Sequence, residues 1–153
     1  MGQGSIDISF ERLGNTGFSF AEEIVRENMA VYYQQHELGF NRQQFRQFLS
    51  EYESYILKTG NNEIGIICLS FEADVAYIRD IQLLPEYQSK GIGSWVIKQF
   101  ETTLLRRNYR ALRLRVFASN PAYQLYQRLG FAEKRNDGAT IGMEKILSAP
   151  RDQ

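Results

Sequence analysis

The spacing of apolar and polar residues divides the first part of the chain into a strand and two helices. Ile6–Phe10 alternates apolar and polar residues, which predicts a half-buried strand. Apolar residues then recur at helical spacing from Phe20 to about His36 and again from Asn41 to Tyr52, which predicts two amphipathic helices. Asn41 is expected to cap the second helix, because its side chain can accept a hydrogen bond from a first-turn amide.

Three strand patterns follow without an intervening helix. Ser54–Lys58, Ile64–Phe71 and Val75–Leu84 are rich in apolar and β-branched residues. The turn residues Gly60-Asn61-Asn62 separate the first two segments, and Glu72-Ala73-Asp74 separates the second from the third. Because tight turns join antiparallel neighbours, the three segments predict an antiparallel meander.

The last part of the chain returns to helical spacing. Gly91–Arg107 carries a continuous apolar stripe and predicts the clearest helix. The strand Leu112–Val116 follows this helix, so it can pair in parallel through a crossover. Asn120–Leu129 predicts another helix, and Phe131–Lys134 and Thr140–Leu147 predict two closing strands.

This order of elements predicts one α/β domain over residues 1–153. Its sheet is expected to be mixed and mostly antiparallel, with about seven strands flanked by about four helices. Residues 1–4 and 148–153 are expected to be flexible ends.

Charge balance and cysteine content narrow the classes of function. Eighteen basic residues balance eighteen acidic ones, whereas a dedicated nucleic-acid-binding protein is usually clearly basic. No apolar segment approaches the roughly 20 residues that span a bilayer, and the N-terminus lacks the features of a secretory signal. Cys68 is the single cysteine, so no intramolecular disulfide can form. We therefore expect a cytoplasmic protein that binds neither nucleic acid nor membrane, with Cys68 as a buried, inert thiol.

A glycine-bearing loop joins the third meander strand to the clearest helix. A helix N-terminus presents unpaired amides and a positive dipole, and Gly91 and Gly93 would let a phosphate approach the backbone closely. The loop therefore indicates an anion site suited to a pyrophosphate, although an ordinary turn at a helix start is the alternative. The P-loop pattern is absent, and Val96 stands where a dinucleotide-binding loop needs its third glycine.

Two motifs in this region resemble the GNAT superfamily of acyl-CoA-dependent N-acyltransferases. Gln88–Gly93 matches the Gln/Arg-x-x-Gly-x-Gly/Ala loop of that family, and Asp80–Tyr87 resembles the strand that precedes the loop. Asn120–Phe131 resembles its later Asn…Leu-Tyr-x-x-x-Gly-Phe signature. Two motifs in this order, about thirty residues apart, are far more specific than either alone.

The resemblance implies acetyl-CoA as the acyl donor, no metal, and roles for particular residues. Ile81 and Leu83 lie where the family pairs its strand backbone with the pantetheine arm, and the Leu83 amide lies where the thioester carbonyl is polarised. Asn120 matches a frequent CoA contact and Tyr126 the usual general acid, with core packing as the alternative for Tyr126. The backbone amides expected to surround the pyrophosphate are those of Gln88, Ser89, Lys90, Gly91, Ile92, Gly93 and Ser94.

The resemblance does not supply a catalytic base. Family members that use a protein base often place Glu or His at positions matching Tyr77 or Arg79, and neither residue here is an obvious base. Asp80 is the nearest carboxylate, but strand alternation directs it to the opposite face. We expect water, held by backbone carbonyls and by Glu72 or Asp74, to conduct the proton to solvent.

The sequence therefore predicts an N-acetyltransferase that moves the acetyl group directly to a primary amine of an acceptor. The first two helices and their connection are expected to shape the acceptor site, as they do in the family. A non-catalytic acyl-CoA-binding or sensing module on the same fold is the alternative. The sequence leaves open the acceptor, the preferred acyl group and the oligomeric state, a homodimer included.

Overall fold

Seven strands and four α-helices lie within residues 7–148, which are the residues that the computed structural model describes. Short 3-10 turns precede the first and third helices. The helices are α1 (Phe18–Gln35), α2 (Arg42–Glu51), α3 (Ile92–Arg106) and α4 (Ala122–Arg128). The strands are β1 (Ser9–Arg12), β2 (Glu53–Thr59), β3 (Asn62–Glu72), β4 (Val75–Leu83), β5 (Ala111–Phe117), β6 (Ala132–Asn136) and β7 (Thr140–Ile146).

The strands form one mixed sheet in the order β1-β2-β3-β4-β5-β7-β6. β4 and β5 run parallel, whereas β1 with β2, β5 with β7, and β6 with β7 are antiparallel. Two-residue turns join β2 to β3 and β3 to β4, as in antiparallel hairpins. The predicted single-domain α/β fold, with seven strands and four helices, is confirmed.

The first strand lies later in the chain than its alternation predicts. β1 pairs with β2 from Ser9 opposite Lys58 to Arg12 opposite Tyr55. Alternation identifies the two faces of a strand but not the residues that find a partner, and here β2 determines the paired segment. Ile6 lies outside the described residues, as do nearly all the ends that were expected to be flexible.

The described residues form two compact units. The first comprises the chain up to Cys68 together with Asp80–Gln88, and the second comprises Leu69–Arg79 and the chain from Ser89. In the first unit, α1, α2, β2 and β3 contribute a buried cluster of Ala21, Ile24, Val25, Leu49, Ile56, Ile66 and Cys68. In the second unit, α3 buries Ile92, Val96, Ile97, Phe100 and Leu104.

A local hydrogen bond caps the start of α2, and ionic hydrogen bonds join α2 to α1. The Asn41 side chain accepts a hydrogen bond from the Gln44 amide at 2.9 Å, so the predicted cap of α2 is confirmed. Glu22 of α1 is buried and accepts hydrogen bonds from Arg42, at 3.1 Å, and from Arg46 of α2. The Arg46 bond lowers the pKa of Glu22 and keeps this carboxylate ionised against the cost of burial.

Candidate functional site

The carboxyl end of β4 extends beyond its pairing with β5. The parallel ladder runs from Val75 opposite Ala111 to Ile78 opposite Leu114, where the described pairing ends. The Leu84 amide still donates to the Ile64 carbonyl of β3 at 2.9 Å. Because successive residues of a strand direct their backbone groups to opposite sides, the Leu83 amide points away from β3, as does that of Ile81. The two predicted backbone residues therefore share one strand edge.

Two amide side chains hold the Leu83 carbonyl. Asn28 Nδ2 of α1 donates to Leu83 O at 2.8 Å, and Gln88 Nε2 donates to the same oxygen at 2.9 Å. Gln88 thus contributes its side chain to the strand end, and its own amide donates to the Pro85 carbonyl at 3.1 Å. The structure brings Leu83 and Gln88 together through this side-chain bond, and it already engages the Gln88 amide within the loop.

Asn28 was missed by the sequence reasoning. It lies on the core-facing stripe of α1, three residues after the buried Val25 and four after the buried Ile24. A polar residue on an otherwise apolar helix face needs a hydrogen-bond partner, and this was the available signal. Its partners, Leu83 and Gln82, are more than fifty positions away in sequence.

The loop from Ser89 to Ser94 presents consecutive backbone amides at the start of α3. Ser89 and Gly91 have positive φ angles of 60° and 81°, which turn the chain sharply before the helix. Gly91 is the N-cap residue and supplies no side chain, and the first amide that bonds to its carbonyl is that of Trp95, at 3.1 Å. The amides of Ile92, Gly93 and Ser94 therefore have no acceptor within the helix. Such a group of amides at a positive dipole end can bind an anion.

The second motif forms the start and the end of α4. Asn120, one residue before the N-cap Pro121, accepts a hydrogen bond at Oδ1 from the Ala122 amide at 2.9 Å and so satisfies the first amide of the helix. The Tyr126 ring is 9% exposed and lies edge-on to Phe131, with the ring centres 5.9 Å apart. The Phe131 amide donates to the Tyr126 carbonyl at 3.0 Å. Capping and core packing thus account for part of this motif.

A chain of hydrogen bonds leads from α1 to a carboxylate on β4. Asn28 Nδ2 also donates to Gln82 Oε1 at 3.1 Å, and Gln82 Nε2 donates to Asp80 Oδ1 at 2.7 Å. Burial raises the pKa of Asp80 to about 6, although the hydrogen bonds from Gln82 and from the Ile81 amide oppose that rise. Asp80 is therefore ionised near neutral pH but can be protonated within the physiological range.

Two other titratable groups of the first unit interact electrostatically with Asp80. Burial, with the Asp80 charge second, raises the pKa of the Cys68 thiol to about 12. The same two causes raise the pKa of the Tyr33 phenol. Cys68 is buried as predicted, and its high pKa makes it a poor nucleophile.

Tyr77 and Arg79 are engaged with each other. The Arg79 guanidinium lies 4.4 Å from the centre of the Tyr77 ring, and Arg79 Nε donates to Ser70 Oγ at 2.7 Å. The Tyr77 hydroxyl donates to Glu72 at 3.4 Å and accepts from Arg113 at 3.2 Å. These contacts agree with the prediction that neither residue is a ready base.

Residues 7–148 contain neither a metal-binding cluster nor a membrane-spanning helix. No cluster of three or more His, Cys, Asp and Glu side chains in this range is arranged to hold a metal ion. None of the described helices is both long enough and apolar enough to cross a membrane.

The chain resembles known proteins in both sequence and structure. The model of the acetyltransferase (GNAT) family matches residues 20–131. Among solved structures, the PaiA N-acetyltransferase of Thermoplasma acidophilum, in complex with coenzyme A, is similar with a TM-score of 0.74 and 20% identity. That match covers 92% of this chain and 99% of the other.

Two other solved structures are similar over nearly their whole length. The ribosomal-protein-S18-alanine N-acetyltransferase of Escherichia coli has a TM-score of 0.73 and 24% identity, covering 95% of this chain and 97% of the other. Ard1 of Thermoplasma volcanium has a TM-score of 0.76 and 15% identity, covering 93% and 99%. At these identities the likeness establishes a shared fold.

Proposed function

Because this chain belongs to the acetyltransferase (GNAT) family, we propose that it transfers the acetyl group of acetyl-CoA directly to a primary amine of an acceptor. The observation that carries the proposal is the run of amides from Ser89 to Ser94, which enters an uncapped helix start through two residues of positive φ. This is the arrangement that a pyrophosphate requires of a backbone.

The chain offers separate groups for each part of the donor. The loop amides from Ser89 to Ser94 bind the pyrophosphate, and the backbone of Ile81 and Leu83 pairs with the amides of the pantetheine arm. Asn120 uses its Oδ1 to accept from the Ala122 amide, and its Nδ2 donates to CoA. No metal takes part in this proposal.

The Leu83 amide and Tyr126 act on the thioester during transfer. The amine nitrogen attacks the carbonyl carbon, and the Leu83 amide donates to the developing oxyanion, which lowers the barrier by about 3 kcal/mol. The carbon–sulfur bond then breaks. The Tyr126 hydroxyl gives its proton to the leaving thiolate and recovers one from the nitrogen that has become the amide.

The acceptor site is formed on the first unit by α1, α2 and the connection between them. Tyr33 and Phe40 contribute partly buried aromatic surface there, and Phe40 lies 5.2 Å from the ring centre of Phe45. Aromatic faces suit an acceptor that carries a positively charged amine. We place the reaction in the cytoplasm, in keeping with a single, unbridged cysteine.

The buried position of Tyr126 favours a second function, a non-catalytic acyl-CoA-binding module on the same fold. Both functions need the loop, so binding of acetyl-CoA alone does not distinguish them. Release of free thiol from acetyl-CoA, measured with a panel of primary amines, does. Amine-dependent release supports the transferase, whereas tight binding of acetyl-CoA without release under any amine supports the binding module.

A further inference from the structure

Asp80 carries a negative charge that has no cationic partner within the described part of the chain. Its hydrogen bonds come from Gln82 Nε2 at 2.7 Å and from the Ile81 amide, both neutral donors. Its neighbour Arg79 is bonded to Ser70 instead. A partly buried carboxylate without a counter-ion is costly, and such groups are found where a ligand supplies the opposite charge.

The Gln82 side chain that donates to Asp80 is held in place by further hydrogen bonds. Asn28 donates to Gln82 Oε1, which leaves Gln82 Nε2 to face Asp80, and the second hydrogen bond of Asn28 ties this pair to the Leu83 carbonyl. Turning the Gln82 carboxamide over would place its oxygen against Asp80, and turning that of Asn28 over would place its oxygen against the Leu83 carbonyl. The chain of bonds therefore keeps Asp80 supplied with a donor that favours its ionised form.

Asp80 and Leu83 are three residues apart on β4, a separation along the strand that suits a bound amine. Three residues of extended strand span about 10 Å. Three contacts in a row cover a comparable length. They are a charge-assisted hydrogen bond of about 2.8 Å from the amine to the carboxylate, an approach of about 3.3 Å from the amine nitrogen to the carbonyl carbon, and a hydrogen bond of about 2.9 Å from the amide to the carbonyl oxygen. An amine held by Asp80 can thus reach a thioester whose carbonyl is bound by the Leu83 amide.

We propose that Asp80 is the counter-ion and the proton acceptor for a cationic acceptor amine, with Gln82 and Asn28 as positioning residues. This inference rests on the proposed function and deepens it by defining the acceptor as an alkylammonium. One proton passes from the ammonium nitrogen to the Asp80 carboxylate, and the freed lone pair attacks the thioester carbon. After the amide forms and the thiol leaves, Asp80 releases that proton to solvent, so the reaction liberates one proton overall.

The pH dependence of kcat/KM for the best amine of the panel tests the assignment. With Asp80 as the acceptor of the proton, the rate rises as this carboxyl ionises at about pH 6 and is then level up to the acceptor's own pKa. The proton relay through water that the sequence suggested gives a rate that keeps rising towards the acceptor's pKa. The Tyr33 phenol and the Cys68 thiol interact electrostatically with Asp80, and both have raised pKa values, so neither causes a rise in rate near pH 6.

Three variants complete the kinetic test. Asp80→Asn lowers kcat/KM by about 100-fold or more and removes the limb near pH 6, with acetyl-CoA affinity unchanged. Gln82→Met removes a hydrogen-bond donor to Asp80, so the rise in rate should move to higher pH. A purely structural role of Gln82 would not cause that shift. Asp7→Asn changes an exposed aspartate of the same unit and should match the wild type.

An NMR titration of the Asp80 carboxyl carbon gives a readout that does not need turnover. A saturating concentration of the best amine should lower the pKa of Asp80, because an ammonium stabilises the carboxylate. An unchanged pKa, or an Asp80→Asn variant with the wild-type rate and limb, overturns the assignment while the acetyltransferase activity stands. A wild-type protein that releases no thiol with any amine overturns the proposed function itself.

Discussion

The carbonyl oxygen of Gln82 occupies the space that a side chain on Gly65 would need. A Cβ built on Gly65 overlaps this oxygen and comes within 2.9 Å of Leu83 Cδ2. Gly65 is therefore required on β3 for the end of β4 to pack where Gln82 and Leu83 are positioned.

Gly65→Ala should lower both the stability of the protein and its affinity for acetyl-CoA. The added methyl group meets backbone, which cannot rotate away, so we expect a loss of about 1–3 kcal/mol in the free energy of unfolding. Denaturant unfolding and calorimetry with acetyl-CoA measure the two effects. Gly142→Ala is the matched control in β7, where an added Cβ has its nearest neighbour at 3.7 Å and meets only ordinary contacts. Equal stability of the two variants would contradict the packing argument.

Gly93→Val should abolish most acetyl-CoA binding. Gly93 is the second residue of α3, and a branched side chain there would stand between a pyrophosphate and the unpaired amides. Isothermal calorimetry should give at least a tenfold loss of affinity with little change in the melting temperature. Gly14→Val, at a position with nothing within 4 Å of an added Cβ, serves as the control. Wild-type affinity in Gly93→Val would remove the loop from the proposed site.

Tyr126→Phe should slow the chemical step and leave binding intact. The substitution retains the ring against Phe131 and deletes only the hydroxyl, so folding and acetyl-CoA affinity should survive. Loss of a general acid lowers the rate by roughly 100-fold. Tyr109→Phe removes a hydroxyl from a ring stacked on Phe71 and should be silent. Single-turnover rates measure the effect, and an unchanged rate would leave Tyr126 with a packing role.

Asp80→Asn should stabilise the protein at neutral pH even as it removes activity. Burial raises the pKa of Asp80 from 3.8 to about 6, so folding favours the protonated carboxyl, and stability falls as the pH rises from about 4 to about 6. The neutral amide avoids this cost, by about 1–3 kcal/mol or several degrees in Tm at pH 8. Thermal melts at pH 8 and pH 4 should show a gain only at pH 8. A gain of the same size at both values would contradict an origin in ionisation.

Local signals in the sequence were sufficient to predict the fold and the position of the loop. Gly91 at a helix start, the cap Asn41 and the tight turns between strands act within a few residues of themselves, and each is found where the pattern placed it. Asn28 and Gly65 could not be read in this way. Their roles depend on Gln82 and Leu83, which are distant in sequence and become neighbours only when β4 packs against β3 and α1.

The buried Cys68 thiol reports transient opening of the first unit. With a thiol pKa of about 12 and 1% exposure, it is almost entirely unreactive while the protein is closed. Alkylation by iodoacetamide therefore requires transient opening, and its rate reports how often the first unit opens at Cys68. Any acceptor that binds the closed unit will slow the alkylation in proportion to its occupancy, so unlabelled amines can be ranked without a catalytic assay.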